Sequence, residues 1–285
     1  MVDSLNIAVA QSPADLFGPQ ARLAWLAECL ARLDGQEVDL LLLPELFLTG
    51  YNIGEKVTEW AEPVAGSSAR TIAALACRHN IAIHYGFAER EGERIYNAAA
   101  CIARNGTLLA CHRKLLLPPG FEGDHFSPGE SYTQFEIDGI KAATLICYDA
   151  EFPETFRAVA SAGAELVLVP TALGAQWGVV ANTVIPARAF ENGIYVCYAN
   201  SCGTENDMSF FGGSCVIAPN GAELARAGAG EEILQAKIEK GAVQAAQSRL
   251  PYLIDRQNLR GLCREFDPAQ ALSLRNMATG APEQI

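Results

Sequence analysis

Short apolar runs bounded by polar or turn residues recur along the chain and predict buried β-strands. These runs occupy residues 6–11, 40–43, 81–87, 98–103, 108–112, 140–146, 166–169, 194–200 and 214–218. Helical patterns lie between some of them, at residues 20–33, 68–79, 154–162 and 183–192. Helices and strands alternate early and hairpins follow, which predicts an α+β fold in which helices cover sheets.

Two internal similarities indicate how these elements are arranged. Residues 101–110 resemble residues 216–225, and each segment has Asn-Gly at a predicted hairpin turn. Residues 39–44 resemble residues 165–170 in the same order along the chain. We therefore expect two related α-β-β halves whose sheets stack face to face with helices outside, although Asn-Gly hairpins can also recur by chance.

The length and composition suit a large folded core. The chain has 285 residues, of which 50% are hydrophobic and 19% charged, so it can bury a core without disulfides or metals. No low-complexity linker divides it, and we predict one domain over residues 1–255. The more polar residues 256–285 are predicted to form an extension that wraps the body or a partner subunit.

Charge and cysteine usage restrict the partners and the compartment. The formal net charge of −12 repels nucleic-acid phosphates and anionic lipid, so neither is an expected partner. It also suits cationic substrates, although solubility alone explains it. The nine cysteines show no CxxC pair, which indicates reduced thiols. With no signal-peptide pattern and no apolar stretch of about 20 residues, we expect a soluble, cytoplasmic protein.

Three reactive residues follow or end predicted strands. Glu45 comes directly after an apolar strand and a proline, and Lys114 ends a strand before a second apolar run. Cys147 lies at a strand-to-helix junction, where backbone N–H groups can hold an anion. Each has an ordinary explanation on its own: a solvated loop carboxylate, a lysine with its stem on apolar surface, or a core cysteine. Together they indicate a catalytic site.

The segments around these residues resemble the nitrilase superfamily of carbon–nitrogen hydrolases. The similarity covers residues 5 to 255, in the family's order. The matching segments are residues 43–51, 112–115, 121–122, 126–129, 146–154 and 186–192. The resemblance implies a four-layer αββα sandwich that pairs with a second subunit, giving a homodimer or a higher homo-oligomer.

Amide hydrolysis needs a nucleophile, a proton acceptor and a charge that meets the developing oxyanion. The resemblance implies that Cys147 attacks the carbonyl carbon and that Glu45 shuttles the proton. Lys114 and the backbone N–H of Tyr148 then form the oxyanion hole. Glu122 is implied as a second buried carboxylate that binds Lys114 or the substrate amine. Proton transfer from cysteine to glutamate is uphill unless burial raises the pKa of the carboxyl group and Lys114 lowers the pKa of the thiol.

Other site chemistries fit the sequence less well. A cysteine–histidine protease needs a histidine base. His79 and His84 have positions typical of structural residues, whereas His112 shares a strand face with Lys114 and stays an alternative. No ligand spacing predicts a zinc site, and no glycine-rich motif predicts a nucleotide. We therefore expect no metal and no cofactor.

The residues after the nucleophile indicate the type of substrate. Tyr148-Asp149 is the pattern of amidases and carbamoylases in the family, whereas nitrile-cleaving members usually have Trp-Glu there. We predict hydrolysis of a small linear amide, neutral or cationic, that releases ammonia and a carboxylic acid. An N-carbamoyl amine or N-carbamoyl amino acid is the alternative. A nitrilase and a non-catalytic binding protein rank after these.

The substrate pocket is expected to draw on residues that follow strand ends. Family members that bind N-carbamoyl amino acids place an arginine after the nucleophile, but Arg157 is interpreted here as part of a structural ion pair. The predicted substrate-binding residues are Tyr51, Asn52, Thr171, Ala172 and Trp177.

Overall fold

Two six-stranded mixed sheets face each other in the computed structural model, which describes residues 4–263. Helices cover the outer face of each sheet. The strands in chain order are β1 Ser4–Gln11, β2 Leu40–Leu42, β3 Ala82–Glu91, β4 Arg94–Ile102, β5 Leu108–Arg113, β6 Thr133–Ile137, β7 Ile140–Thr144, β8 Leu166–Pro170, β9 Tyr195–Ala199, β10 Thr204–Glu205, β11 Met208–Ser209, β12 Cys215–Ile217, β13 Glu223–Arg226 and β14 Glu232–Glu239.

The α-helices vary in length from a single turn to four turns. They are α1 Gly18–Leu33, α2 Lys56–Trp60, α3 Ser67–His79, α4 Phe121–His125, α5 Pro153–Ser161, α6 Ile185–Asn192, α7 Lys240–Arg249 and α8 Tyr252–Cys263. Short 3₁₀ turns cover Cys147–Glu151 and Ala175–Trp177, and a π-helical turn at Val180–Val184 leads into α6. None of the helices in this part of the chain is long and apolar enough to span a membrane.

The two sheets have the same topology. The first has the order β14-β1-β2-β3-β4-β5, and the second has β6-β7-β8-β9-β12-β13. In each, three parallel strands are flanked by one antiparallel strand on one side and two on the other. The similar segments noted above fall at equivalent places, namely β2 with β8 and the two Asn-Gly hairpins. The predicted α+β sandwich with two related halves is confirmed.

Alternation along the central strands explains why they are apolar throughout. Leu40 and Leu42 point between the sheets, whereas Leu41 and Leu43 pack against the layer that contains α1 and α3. In the second half, Leu166 and Leu168 face the first sheet, and the alternate valines of β8 face α5 and α6. Each central strand is therefore covered on both faces, as buried parallel strands require.

The apolar runs did not predict every strand. The strands β6, β13 and β14 lie at sheet edges and carry many polar residues. In β14, Leu234 and Ile238 are buried while Glu232 and Glu239 are exposed. Such half-exposed strands alternate between apolar and polar residues, so a search for continuous apolar runs misses them. The strand β14 pairs antiparallel with β1 over its full length.

The C-terminal helix α8 packs near α5 and α6. The predicted boundary between residues 255 and 256 falls within this helix, and residues 264–285 lie outside the described residues. The extension that wraps the body or a partner therefore stays a prediction. The eight cysteines from Cys29 to Cys215 are free thiols, and the cytoplasmic location stays a prediction.

Candidate active site

The ends of four strands from both sheets bring the predicted catalytic residues together. Glu45 follows β2 and Lys114 follows β5 in the first sheet, while Cys147 follows β7 and Thr171 follows β8 in the second. The backbone N–H of Glu45 donates to the Thr171 carbonyl over 3.4 Å, which joins the two sheets at this edge. Sites at the carboxyl ends of parallel strands are general in open sheets, because several loops meet there.

Lys114 lies between two carboxylates at the centre of the site. Its Nζ is 2.7 Å from Glu45 Oε1 and 2.6 Å from Glu122 Oε1, and all three side chains are buried. Burial alone lowers the pKa of Lys114, but the negative charges of Glu45, Cys147 and Glu122 outweigh it and raise that pKa. The side chain is therefore an ammonium ion that is buried between two carboxylates.

Glu45 has the properties of a general base. Its Oε1 accepts hydrogen bonds from Lys114 and Asn97, while its Oε2 has no partner among the described residues. Burial, reinforced by the charge of Glu122 and opposed by Lys114, raises the pKa of Glu45 to about 7. At neutral pH the carboxyl group can both accept and return a proton, which general acid–base catalysis requires.

Asn97 is a site residue that the sequence did not reveal. It lies on β4 and is fully buried. Its Nδ2 donates to Glu45 Oε1 over 2.7 Å and to Glu122 Oε2 over 3.1 Å, so it holds the two carboxylates together. Its backbone carbonyl accepts from the N–H of Lys114. The available signal was an amide side chain within an otherwise apolar strand, because such a group needs buried partners.

Cys147 begins the 3₁₀ turn with a φ of 44°, a left-handed conformation that is unusual for a side chain other than glycine. The buried carboxylate of Asp149 fixes this turn, since it accepts from the N–H groups of Ile146, Leu115 and Leu116. Asp149 therefore ties the nucleophile's turn to the segment that follows Lys114. Strained backbone held in this way is common at active sites.

The surroundings of Cys147 favour its protonated thiol over the thiolate. Burial, followed by the charge of Glu45, raises its pKa, whereas Lys114 and a hydrogen bond with Thr171 lower it. A nearby base must therefore take the thiol proton before the sulfur can attack. Glu45 is the carboxylate with an open oxygen and a matched pKa.

Three of the five predicted substrate-binding residues lie at the site. The hydroxyl of Tyr51 donates to Glu122 Oε1 over 2.7 Å. Thr171 Oγ1 lies 3.1 Å from the hydroxyl of Tyr198. Ala172 packs in a small apolar cluster with Tyr51 and Phe210.

The other two predicted pocket residues are not brought to the catalytic cluster by their contacts. The side chain of Asn52 donates to Asp207 Oδ1 and to the Glu205 carbonyl, so it holds a surface loop to the β10–β11 hairpin. Trp177 is 56% exposed on its 3₁₀ turn. A position after a strand end does not by itself determine where a side chain points.

The histidines and Arg157 have structural contacts. Burial lowers the pKa of His84 to about 3, and its Nε2 bonds to Thr144. His112 Nδ1 bonds to Thr133, so its hydrogen bond does not lead to the thiol. Arg157 donates to the Glu191 carbonyl and lies near its carboxylate, as the structural interpretation expected. Within residues 4–263, no cluster of His, Cys, Asp and Glu fits a metal ion.

Comparison with known proteins identifies the family. Residues 6–248 match the family model described as carbon-nitrogen hydrolase. The chain belongs to the carbon–nitrogen hydrolase family. It is 41% identical over 262 residues to a "Hydrolase in pqqF 5'region" of Pseudomonas protegens, covering 90% of each chain. It is 36% identical over 222 residues to an "(R)-stereoselective amidase" of a Pseudomonas species, covering 78% of this chain and 80% of that protein.

Solved structures of this family have the same fold. An amidase from Nesterenkonia sp. superposes with a TM-score of 0.79 at 34% identity, covering 88% of this chain and 96% of that chain. A mutant of that amidase, with a TM-score of 0.75 at 34% identity over 86% of this chain and 98% of that one, shows Michael addition of acrylamide at the active site cysteine. The predicted superfamily and amidase class are confirmed. This carbon–nitrogen hydrolase is an enzyme that acts on non-peptide amides.

The position of Glu45 depends on Gly86 of the neighbouring strand. A Cβ at Gly86 would lie 2.5 Å from the Pro44 carbonyl oxygen and 2.8 Å from Glu45 Cα, so only glycine permits this approach. Leu46, which follows Glu45, has a φ of 47°, so the turn has little freedom to move.

We predict that Gly86→Ala displaces Glu45 and lowers kcat/KM at least about tenfold, since errors near 1 Å in catalytic geometry are costly. Ammonia release measures the activity, and thermal unfolding monitors the fold. Gly241→Ala is the control, because a Cβ there meets nothing within 4 Å. Full activity in a folded Gly86→Ala protein would show that Glu45 does not depend on this contact.

Proposed function

We propose that this enzyme hydrolyses small linear amides through a thioester on Cys147 and releases ammonia and a carboxylic acid. The observation that carries the proposal is the open Oε2 of Glu45, on a carboxyl group with a pKa of about 7, in a buried cluster with Lys114 and beside the protonated Cys147 thiol. A nucleophile, a proton acceptor and a fixed cation are the groups that acyl transfer requires.

In the first step, the thiol proton moves to Glu45 as the sulfur attacks the amide carbonyl carbon. The carbonyl oxygen becomes an oxyanion. The Lys114 ammonium and the backbone N–H of Tyr148 stabilise that charge, and the effect is strong because Lys114 is fully buried. Glu122 and Glu45 hold Lys114 by two short hydrogen bonds, so its ammonium need not reorient as the charge forms.

In the second step, Glu45 returns the proton to the nitrogen, the carbon–nitrogen bond breaks, and ammonia leaves the thioester. Glu45 then takes a proton from water as the water oxygen attacks the thioester carbon. Collapse of this intermediate breaks the carbon–sulfur bond, and the proton returns to the Cys147 sulfur. The cycle thus uses one carboxyl group as base, acid and base again.

A small acyl group suits the surroundings of the nucleophile. Next to Thr171, which bonds to the thiol, lies the apolar cluster of Ala172, Ala14 and Phe210, with Tyr51 packed against it. Apolar side chains with few polar groups are typical of small-molecule sites. An N-carbamoyl amino acid is disfavoured, because Arg157 is engaged by Glu191 and does not offer a free guanidinium for the carboxylate.

The function is tested with a panel of linear amides, ureides and nitriles, with ammonia as the readout. We expect turnover of small amides, no release of carbon dioxide, and loss of at least about 10³-fold activity in Cys147→Ala, as for other covalent nucleophiles. Cys77→Ala is the matched control, since Cys77 is an exposed thiol. Turnover that survives Cys147→Ala would rule out the thioester, and carbon dioxide release would favour the carbamoylase alternative.

The pH dependence follows from Glu45, which must be ionised to accept the thiol proton. Because its pKa is raised to about 7, its protonated form predominates at lower pH and cannot act as the base. We expect kcat/KM to fall below about pH 7, approaching about tenfold per pH unit. Circular dichroism at pH 5 confirms that the protein stays folded. Activity constant down to pH 5 would mean that the base has an ordinary glutamate pKa.

We also propose that the enzyme forms a homodimer through a face around α6 and α8. Large apolar side chains are exposed there, which is typical of a protein–protein contact. They are Trp177, Val179, Phe190, Tyr252 and Ile254. We expect a dimer by sedimentation at micromolar concentration, and a monomer for the double variant Val179→Glu/Ile254→Glu. Leu108→Glu, at an exposed leucine of β5, should leave the dimer intact. A monomeric wild-type protein would contradict the proposal.

A further inference from the structure

The short hairpin formed by β10 and β11 is more than 150 residues away in sequence from Glu45, yet it contacts the loop that follows Glu45. On this hairpin, Glu205 Oε2 accepts the backbone N–H of Tyr51 over 2.8 Å and that of Asn52 over 2.5 Å. Two adjacent N–H groups thus converge on one carboxylate oxygen. This carboxylate determines the path of the chain at Tyr51.

A buried arginine makes this carboxylate possible. Arg22 on α1 donates from Nη2 to Glu205 Oε1 over 2.9 Å and to the Ala14 carbonyl over 3.0 Å. The Arg22 and Glu205 side chains are 2% and 8% exposed. An unpaired carboxylate at this depth would be strongly destabilising, so the guanidinium offsets its desolvation. The hairpin, α1 and the loop at Tyr51 are therefore joined by one buried ion pair.

Gly50 shows how closely these groups approach. It has a φ of 98°, and a Cβ at this position would contact Glu205 Oε1 and lie 3.0 Å from Arg22 Nη2 and 2.9 Å from the Ile53 side chain. Only glycine fits both the backbone conformation and the available space. The loop is consequently packed onto the ion pair without room for an alternative path.

Tyr51 transmits this constraint to the catalytic groups. Its hydroxyl donates to Glu122 Oε1, the same oxygen that accepts from Lys114 Nζ. Burial, followed by the nearby charges of Glu45 and Glu122, raises the pKa of Tyr51, so the phenol keeps the proton that it donates. The ring of Phe210, which follows the hairpin, meets the Tyr51 ring edge to face at 6.4 Å.

We propose that Glu205 is a positioning residue for the amidase reaction. Through the two N–H groups it places the Tyr51 hydroxyl on Glu122, and Glu122 in turn holds the Lys114 ammonium where the oxyanion forms. This inference rests on the proposed function. Glu205 acts through Tyr51 and does not touch the reacting atoms.

A double-mutant cycle on kcat/KM tests this chain of contacts. Tyr51→Phe removes a hydrogen bond to a charged group, for which we expect a loss of about tenfold or more. Glu205→Ala frees the Tyr51 backbone and should cause a similar loss. If Glu205 acts through Tyr51, the kcat/KM of the double variant should lie within about twofold of that of the less active single variant. Losses that multiply, to about a hundredfold, would overturn the proposal.

Glu62→Ala is the matched control. Glu62 is another carboxylate that accepts a backbone N–H, that of Ser68 at the start of α3, over 2.9 Å. Glu62→Ala should lower kcat/KM by no more than about threefold. This loss should multiply with the loss from Tyr51→Phe, because the two sites are independent. If the losses from Glu62→Ala and Tyr51→Phe failed to multiply in the same way, the coupling would reflect a general loosening of the fold. That result would also overturn the proposal.

A second variant covers the case in which Glu205→Ala does not fold. Glu205→Gln keeps the size of the side chain and an oxygen that can accept from Arg22, but it removes the charge of the group that accepts the two backbone N–H groups. Its loss of kcat/KM should also fail to multiply with the loss from Tyr51→Phe. Losses that multiply would again contradict the inference. Each variant is assayed with Cys147→Ala in parallel. Turnover that is independent of Cys147 would refute the proposed function, whereas additive losses in a Cys147-dependent enzyme would refute only the role of Glu205.

Discussion

A buried ammonium between two buried carboxylates is the interaction on which the site depends. Lys114, Glu45 and Glu122 are removed from water together, and each charge is tolerated only because the others and the donors Asn97 and Tyr51 surround it. Burial, reinforced by the charge of Glu122, outweighs the effect of Lys114 and keeps the pKa of Glu45 near neutrality. A single interaction thus provides both the fixed cation and the proton carrier. The surrounding strands must be rigid, because a loosened partner would leave a charge without compensation.

The two topologically equivalent halves contribute different chemistry. The first sheet carries the proton carrier Glu45 and the fixed cation Lys114, and the second carries Cys147 and Thr171. Both sets lie at the carboxyl ends of strands and meet where the sheets face each other. Asp149 joins them again by accepting N–H groups from the segment after Lys114. The site therefore requires that the sheets keep their relative position, which the apolar layer between them maintains.

The sequence was most informative where a residue's role depends on local position. Continuous apolar runs ended by Glu45 or Cys147 indicated both the buried strands and the reactive groups after them. Asn97 was not predicted, because its partners come from elements distant in sequence. Glu205 was not predicted for the same reason. It contacts backbone N–H groups, and such contacts produce no recognisable pattern in the sequence. Trp177 was predicted for the pocket because its segment follows a strand, yet it lies exposed on a 3₁₀ turn.

The pairing of β14 with β1 has a consequence for how the protein is made. The first strand of the chain, Ser4–Gln11, acquires its outer neighbour only when residues 232–239 exist. During synthesis, the outer edge of β1 therefore stays unpaired while the second half is still being translated. Although the halves have the same topology, the second sheet is built from one continuous segment, whereas the first is completed only by β14. The pairing of β1 with β14 forms across a long chain separation, which favours slow folding and leaves an unpaired edge exposed until then.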